Sequence, residues 1–218
     1  MTDQTRDASA ESEAAHSGIE FISAERLVFF SDAVVAIAIT LLALALPVPH
    51  GATSHGIFTD LSAHRDAFLA FLISFVVIAN HWHSHHRLYR HVVRIDRGVM
   101  TMNMFWLLLI VITPFATRII AGGGAFGARF AIYAVIQIAT ILTFLAMSRH
   151  IRRNRLLRPG APEPTSRLDD AAYLAVAGTF ALSIPVALAT NSQWTFAIWI
   201  ASVLSARALR RLRSQDST

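Results

Sequence analysis

The sequence predicts an all-α integral membrane protein with six transmembrane helices per subunit. Three observations carry this. Apolar residues make up 54% of the 218-residue chain and charged residues only 15%, against roughly 25% charged in ordinary soluble domains. The apolar residues gather into runs of about 20, the length needed to cross ~30 Å of hydrocarbon. Arginine is distributed unevenly between alternate loops, as membrane topology requires.

The elements follow in order. Residues 1–23, opening "MTDQTRDASAESEAAHSGIE", are polar and acidic and predict a disordered cytoplasmic tail. They lack the basic start and short apolar core of a signal peptide, so no cleavage is expected. Residues 24–213 form the six-helix transmembrane domain. The first helix is expected over 25–46, stopped by Pro47 and Pro49, and the second over 64–89, apolar at first and polar after Ala79. A third, over 97–120, carries Pro114 near its far end, and "AGGGAFG" (121–127) then makes a tight turn. The fourth is expected over 127–150, before the basic linker "RRNRLLRPGAPEPTSR" (152–167). Residues 171–206 hold no charge over 36 positions, too many for one crossing. The turn-forming "TNSQ" at 190–193 divides them into helices over 168–190 and 193–212, leaving 214–218 as a C-terminal tail.

All 19 basic residues are Arg, and there is no cysteine, hence no disulfide framework and no thiolate metal site. With the N-terminus inside, 16 of the 19 Arg lie on the cytoplasmic side; Arg65, Arg118 and Arg129 remain outside. Both termini are therefore expected in the cytoplasm. The net charge of +5 flanks the apolar runs instead of forming one patch, which argues against a nucleic-acid partner.

The first span, "RLVFFSDAVVAIAITLLALALP" (26–47), contains a carboxylate. Asp32 lies about 7 Å inside the hydrocarbon at ~1.5 Å rise per residue, where an unpaired charge costs at least ~2.5 kcal/mol. It must be neutral, paired or facing water. At about 100° per residue from Ile37, Leu41 falls near 40°, Leu44 near −20° and Thr40 near −60°. Val34 and Val48 extend that stripe, while Asp32 falls near −140° and Ser31 near 120°, so the polar pair points elsewhere. By periodicity alone the apolar stripe reads as ordinary lipid-facing or packing surface.

The second region is "NHWHSHHRLYRH" (80–91). His81 and His85, spaced i, i+4, can share a metal or haem on one helical face; equally, one or two His of an interfacial cluster can buttress a buried polar network. No HExxH motif accompanies them. In the third span Asn103 is placed to hydrogen-bond a neighbouring helix, and Gln137 in the fourth is a similar lone polar group. Pro114 frees a backbone carbonyl. No Gly-rich phosphate loop, nucleophile elbow or paired-carboxylate site is present, so no enzyme is expected, and no TVGYG filter appears.

"RLVFFSD" fits the pattern Arg-x-x-x-Phe-Ser-Asp on a first spanning helix. In this, in the Trp- and His-bearing second helix and in a third helix with Asn and a distal Pro-Phe, the chain resembles the lysosomal and bacterial potassium channels of the transmembrane protein 175 family. The resemblance implies a homotetramer with the first helices lining a central pore in the bacterial inner membrane. It implies a potassium-permeable pore with no carbonyl filter, no cofactor and no small-molecule substrate, the permeant ion being K+. By position from the signature Asp, Ile37, Leu41 and Leu44 would form the constriction, with the Thr40 hydroxyl near the ion path. Arg26, Phe30, Ser31 and Asp32 would bond toward the second and third helices, where Trp82, His85, His86 and Asn103 are the candidate partners. The rival readings are a proton-coupled transporter using Asp32 and the His cluster, and a His-liganded membrane metal or haem protein.

Overall fold

The computed structural model describes residues 24–160 and 167–191. Among them the chain forms six α-helices and no strand: α1 (Ala24–Leu44), α2 (Ser54–Ala63), α3 (Arg65–Tyr89), α4 (Arg97–Ala121), α5 (Phe126–Arg153) and α6 (Arg167–Thr190). Five of these, all but α2, are long and apolar enough to cross a membrane. The predicted sixth span over 193–212 and both tails lie outside the described residues.

Local signals set the helix ends. Asp96 caps α4 by accepting from the Val99 N–H at 2.8 Å. At the other end of α4, Arg129 reaches back from α5 and donates to the Ile120 carbonyl at 2.8 Å, satisfying an oxygen that the helix cannot. The glycine turn follows, with Gly124 at φ +93. Asn191 stops α6 in the left-handed region at φ 48, its N–H returning to the Ala187 carbonyl at 2.9 Å. Short α2 was not foreseen from the sequence; Thr53 caps it by accepting from Gly56 N–H.

α1 packs against α3 and α4, and α5 lies between α4 and α6. One buried apolar cluster joins Leu27, Val35, Ala38 and Leu42 of α1 to Ile78, Trp106, Ile110, Phe144 and Met147. A second joins Ala70, Ala116, Phe130, Tyr133, Phe180 and Ala187 on the other side. Helices in lipid associate through close packing rather than a hydrophobic force between them. Gly127 shows how close: a Cβ there would meet the Ala187 carbonyl oxygen at 2.5 Å.

The Arg-rich ends of the helices are tied together. Val92 and Leu157 form an isolated antiparallel bridge, and the Arg158 N–H donates to the His91 carbonyl at 2.9 Å. His150 meets Asp96 at 2.7 Å, and Arg149 and Arg152 both donate to Asp170. The start of the basic linker is thus a structured element clamped to the loop after α3.

Candidate functional site

α1 divides into two faces. Leu27, Ser31, Val35, Ala38 and Leu42 are buried against α3 and α4. On the other face Ile37 is 59% exposed, Leu41 41% and Leu44 82%. Thr40 is exposed beside them, and its hydroxyl donates to the Ile37 carbonyl at 2.8 Å. The proton is thereby committed to the helix, and the oxygen's free lone pair is left to face outward. A row of large apolar side chains left bare in this way faces lipid or another chain. The wheel needs two corrections. Val34 packs against the buried cluster instead of extending the stripe, because it turns toward the same neighbours as Val35 and Ala38. Val48 lies beyond the end of α1, so it has no helical face.

The polar residues of α1 point the other way, toward two partners. Trp82 of α3 donates its Nε1–H to Asp32 Oδ1 at 2.9 Å. Ser31, fully buried, donates to the Leu27 carbonyl at 2.8 Å and accepts from Asn103 Nδ2 at 3.0 Å. Asn103 Oδ1 then faces His85 Nε2 at 2.8 Å and the Tyr89 hydroxyl at 3.4 Å. With the Asn103 amide donating to Ser31, its oxygen is the acceptor, so His85 must carry its proton on Nε2. The His85 ring stacks on Trp106 at 4.6 Å and 16°, with Tyr89 at 4.5 Å. This network joins α1, α3 and α4, three helices long and apolar enough to cross a membrane, and inside such a span a polar group without a partner is costly.

The sequence-predicted members do not all enter it. His86 is exposed and touches Trp82 only ring to ring, at 5.8 Å and tilted; one residue past His85, it is turned about 100° off the buried face. Phe30 is 53% exposed and sits on the open face with Ile37, so it does not reach toward α3 and α4. Arg26 lies in the first turn of the same helix, exposed yet with a contact of its own. The paired reading of His81 and His85 also changes: His81 Nε2 meets Gln137 Oε1 of α5 at 3.2 Å, while His85 turns to Asn103. Among the described residues no group of three metal-ligating side chains forms. Of the residues in the proposed relay, Asp32 is bonded to Trp82 and His85 to Asn103.

Two further contacts escaped the sequence reading. Ser74, Thr117 and Tyr133 form a buried cluster of three hydroxyls between α3, α4 and α5. Asp96 is the centre of the other. Burial alone would raise its carboxyl, but the Val99 N–H, His150 and the Gly98 N–H outweigh that and hold it below the usual carboxylate range. An Asp just before a helical run is a legible cap signal; its partner His150, 54 residues on, carries none.

Residues 26–114 match the family described as endosomal/lysosomal potassium channel TMEM175. The chain is similar to a potassium channel of Streptomyces collinus, 32% identical over 178 residues that cover 76% of this chain and 86% of that one. It is also similar to a potassium channel of Chamaesiphon minutus, 36% identical over 57% of this chain and 64% of the relative. An endosomal/lysosomal proton channel TMEM175 of Gallus gallus is 34% identical over 58% of this chain but only 26% of its own length. Among solved structures, the lysosomal potassium-selective channel TMEM175 homolog from Chamaesiphon minutus superposes with a TM-score of 0.62 at 28% identity, covering 84% of this chain and 97% of that chain.

Proposed function

Because the chain belongs to the endosomal/lysosomal potassium channel TMEM175 family, we propose that it is a potassium-permeable cation channel, a homotetramer whose four α1 helices line a central pore. A channel family is not an enzyme family. The observation that carries the proposal is the open face of α1, with Ile37, Leu41 and Leu44 bare on a helix whose opposite face is fully packed. A lipid-facing stripe would need no brace fixing its rotation. Here Asp32–Trp82 and Ser31–Asn103 pin the helix about its own axis.

Four copies of that face make an apolar neck. Ile37 to Leu44 spans about 10 Å at ~1.5 Å per residue. Such a neck conducts only when wide enough to stay wet, so its radius is the gate. The Thr40 oxygen, one turn from Ile37 and with its proton held by its own helix, supplies a lone pair to a partly dehydrated K+. Selection in such a pore favours the ion that sheds water at lower cost, with side chains and no carbonyl filter. The Arg asymmetry orients both termini to the cytoplasmic side of the bacterial inner membrane.

The test is potassium flux into liposomes carrying the purified protein, with sodium as control. A K+ current without any coupled solute supports the channel. Flux that requires a co-transported solute or a proton gradient would replace it with the transporter.

A further inference from the structure

A cleft of about 220 Å³ opens between the first turn of α1 and the last turn of α3. Glu25, Val28 and Phe29 line one side, His86 and Arg90 the other, and Val92 closes the end. It lies at the ends of two helices long and apolar enough to cross a membrane, the ends flanked by Arg26, Arg87, Arg90 and Arg94. The walls are apolar and the mouth carries both signs of charge: Glu25 and Arg90 are exposed, and among the described residues no ion pair joins either of them to a partner. The volume is below the ~300–1,000 Å³ of pockets that engulf a drug-sized ligand. It suits a headgroup whose tails stay outside, along the 64%-exposed Phe29.

We infer that this cleft seats the headgroup of an amine-bearing phospholipid, phosphoethanolamine, from the leaflet on the Arg-rich side. The charge pattern selects it. The phosphate meets the Arg90 guanidinium, which binds phosphate oxygens through paired N–H donors, with the His86 ring beside it. The primary ammonium meets the Glu25 carboxylate. A glycerol headgroup leaves Glu25 unpaired next to a phosphate, and a choline headgroup offers it no N–H. Acyl chains leaving the cleft run along Val28 and Phe29 of α1, the helix that carries the open face. The inference rests on the membrane reading alone and not on ion conduction.

The test is native mass spectrometry of the detergent-solubilised full-length protein, offered phosphatidylethanolamine, phosphatidylcholine and phosphatidylglycerol in equal amounts. The wild type should retain phosphatidylethanolamine in preference to the other two. Arg90→Gln should lower retention of all three about fivefold, the factor expected for one basic residue at a membrane surface. Glu25→Gln should abolish the preference for the ethanolamine headgroup and leave phosphatidylglycerol retention unchanged or higher. Equal retention of the three lipids by the wild type would overturn the inference, as would a phosphatidylglycerol preference or an ethanolamine preference that survives both substitutions. A preference seen only in dissociated protomers would place a second copy of the chain in the cleft instead.

Discussion

Trp82 Nε1 donates to Asp32 Oδ1 across 2.9 Å, joining α3 to α1 over 50 residues of sequence. The bond explains a carboxylate in an oily helix. Asp32 sits at the edge between the packed and open faces of α1, only partly buried, where it can be held without being sealed from water. A buried Ser31 one residue earlier makes the second attachment. Two hydrogen bonds at neighbouring positions about 100° apart fix rotation as well as position.

Removing that acceptor loosens α1. Asp32→Ala should lower stability in detergent by about 1.5–3 kcal/mol, the range for a hydrogen bond to a charged group. Asp32→Asn keeps an oxygen for Trp82 and should lose less. Trp82→Phe removes the donor and leaves the Asp32 carboxylate without it, so it should resemble Asp32→Ala more than Asp32→Asn. Thermal melting of the three purified variants ranks them; equal melting temperatures for Asp32→Ala and wild type would show that the bond holds nothing.

Asn103 serves three partners, Ser31, His85 and Tyr89, in a fully buried position. Asn103→Leu strands them at about 1–3 kcal/mol for each group left unsatisfied. Ser31→Ala removes only one of those bonds. The double variant should therefore be less destabilised than the sum of the two singles, since each removes the same Ser31–Asn103 contact. Additive losses in a double-mutant cycle would mean that the two side chains act independently.

These positions also mark what one sequence can tell. The five described spans were legible because a span is a local property: length, hydropathy and flanking Arg suffice. Asn103 stood out as a polar residue in apolar surroundings, which must find a partner, and the His-rich end of the second span was the place to look for one. The choice of His85 over His86 was not legible, since it depends on which way α3 is rotated. The clamp of Asp170 by Arg149 and Arg152 was hidden for a related reason. Those Arg residues read as topology markers, and their pairing with a carboxylate about 20 positions on is set by how α5 and α6 pack. Helix α2 was missed because its apolar Ile57, Phe58 and Leu61 are exposed and sit in a run too short to show a period.

Acid should weaken the Arg-rich end of the bundle through Asp96. Its carboxyl lies below the usual range when folded, so the folded chain gives up that proton more readily than the unfolded one. Its contribution is complete above the ordinary carboxylate pKa of about 4 and is lost as pH falls through the lower folded value. Asp96→Ala should cost about 1 kcal/mol at neutral pH as a lost helix cap, and should flatten the fall in stability below pH ~4. Melting temperature against pH for both proteins checks this; curves that stay parallel below that pH would remove Asp96 from the acid response.

The neck itself is tested at Ile37, exposed at the middle of α1 and away from every contact of the brace. Ile37→Asn replaces a branched apolar side chain with an amide that holds water, at a position where no core packing is lost. The variant should fold and melt like the wild type. In planar bilayers it should carry a larger single-channel conductance with a weaker preference for K+ over Na+, because a wetted neck no longer imposes the dehydration that separates the two ions. Asp32→Ala gives the contrast: it should change stability far more than permeation. If Ile37→Asn leaves conductance and selectivity unchanged while Asp32→Ala alters both, the carboxylate lines the ion path and the open face of α1 belongs to lipid.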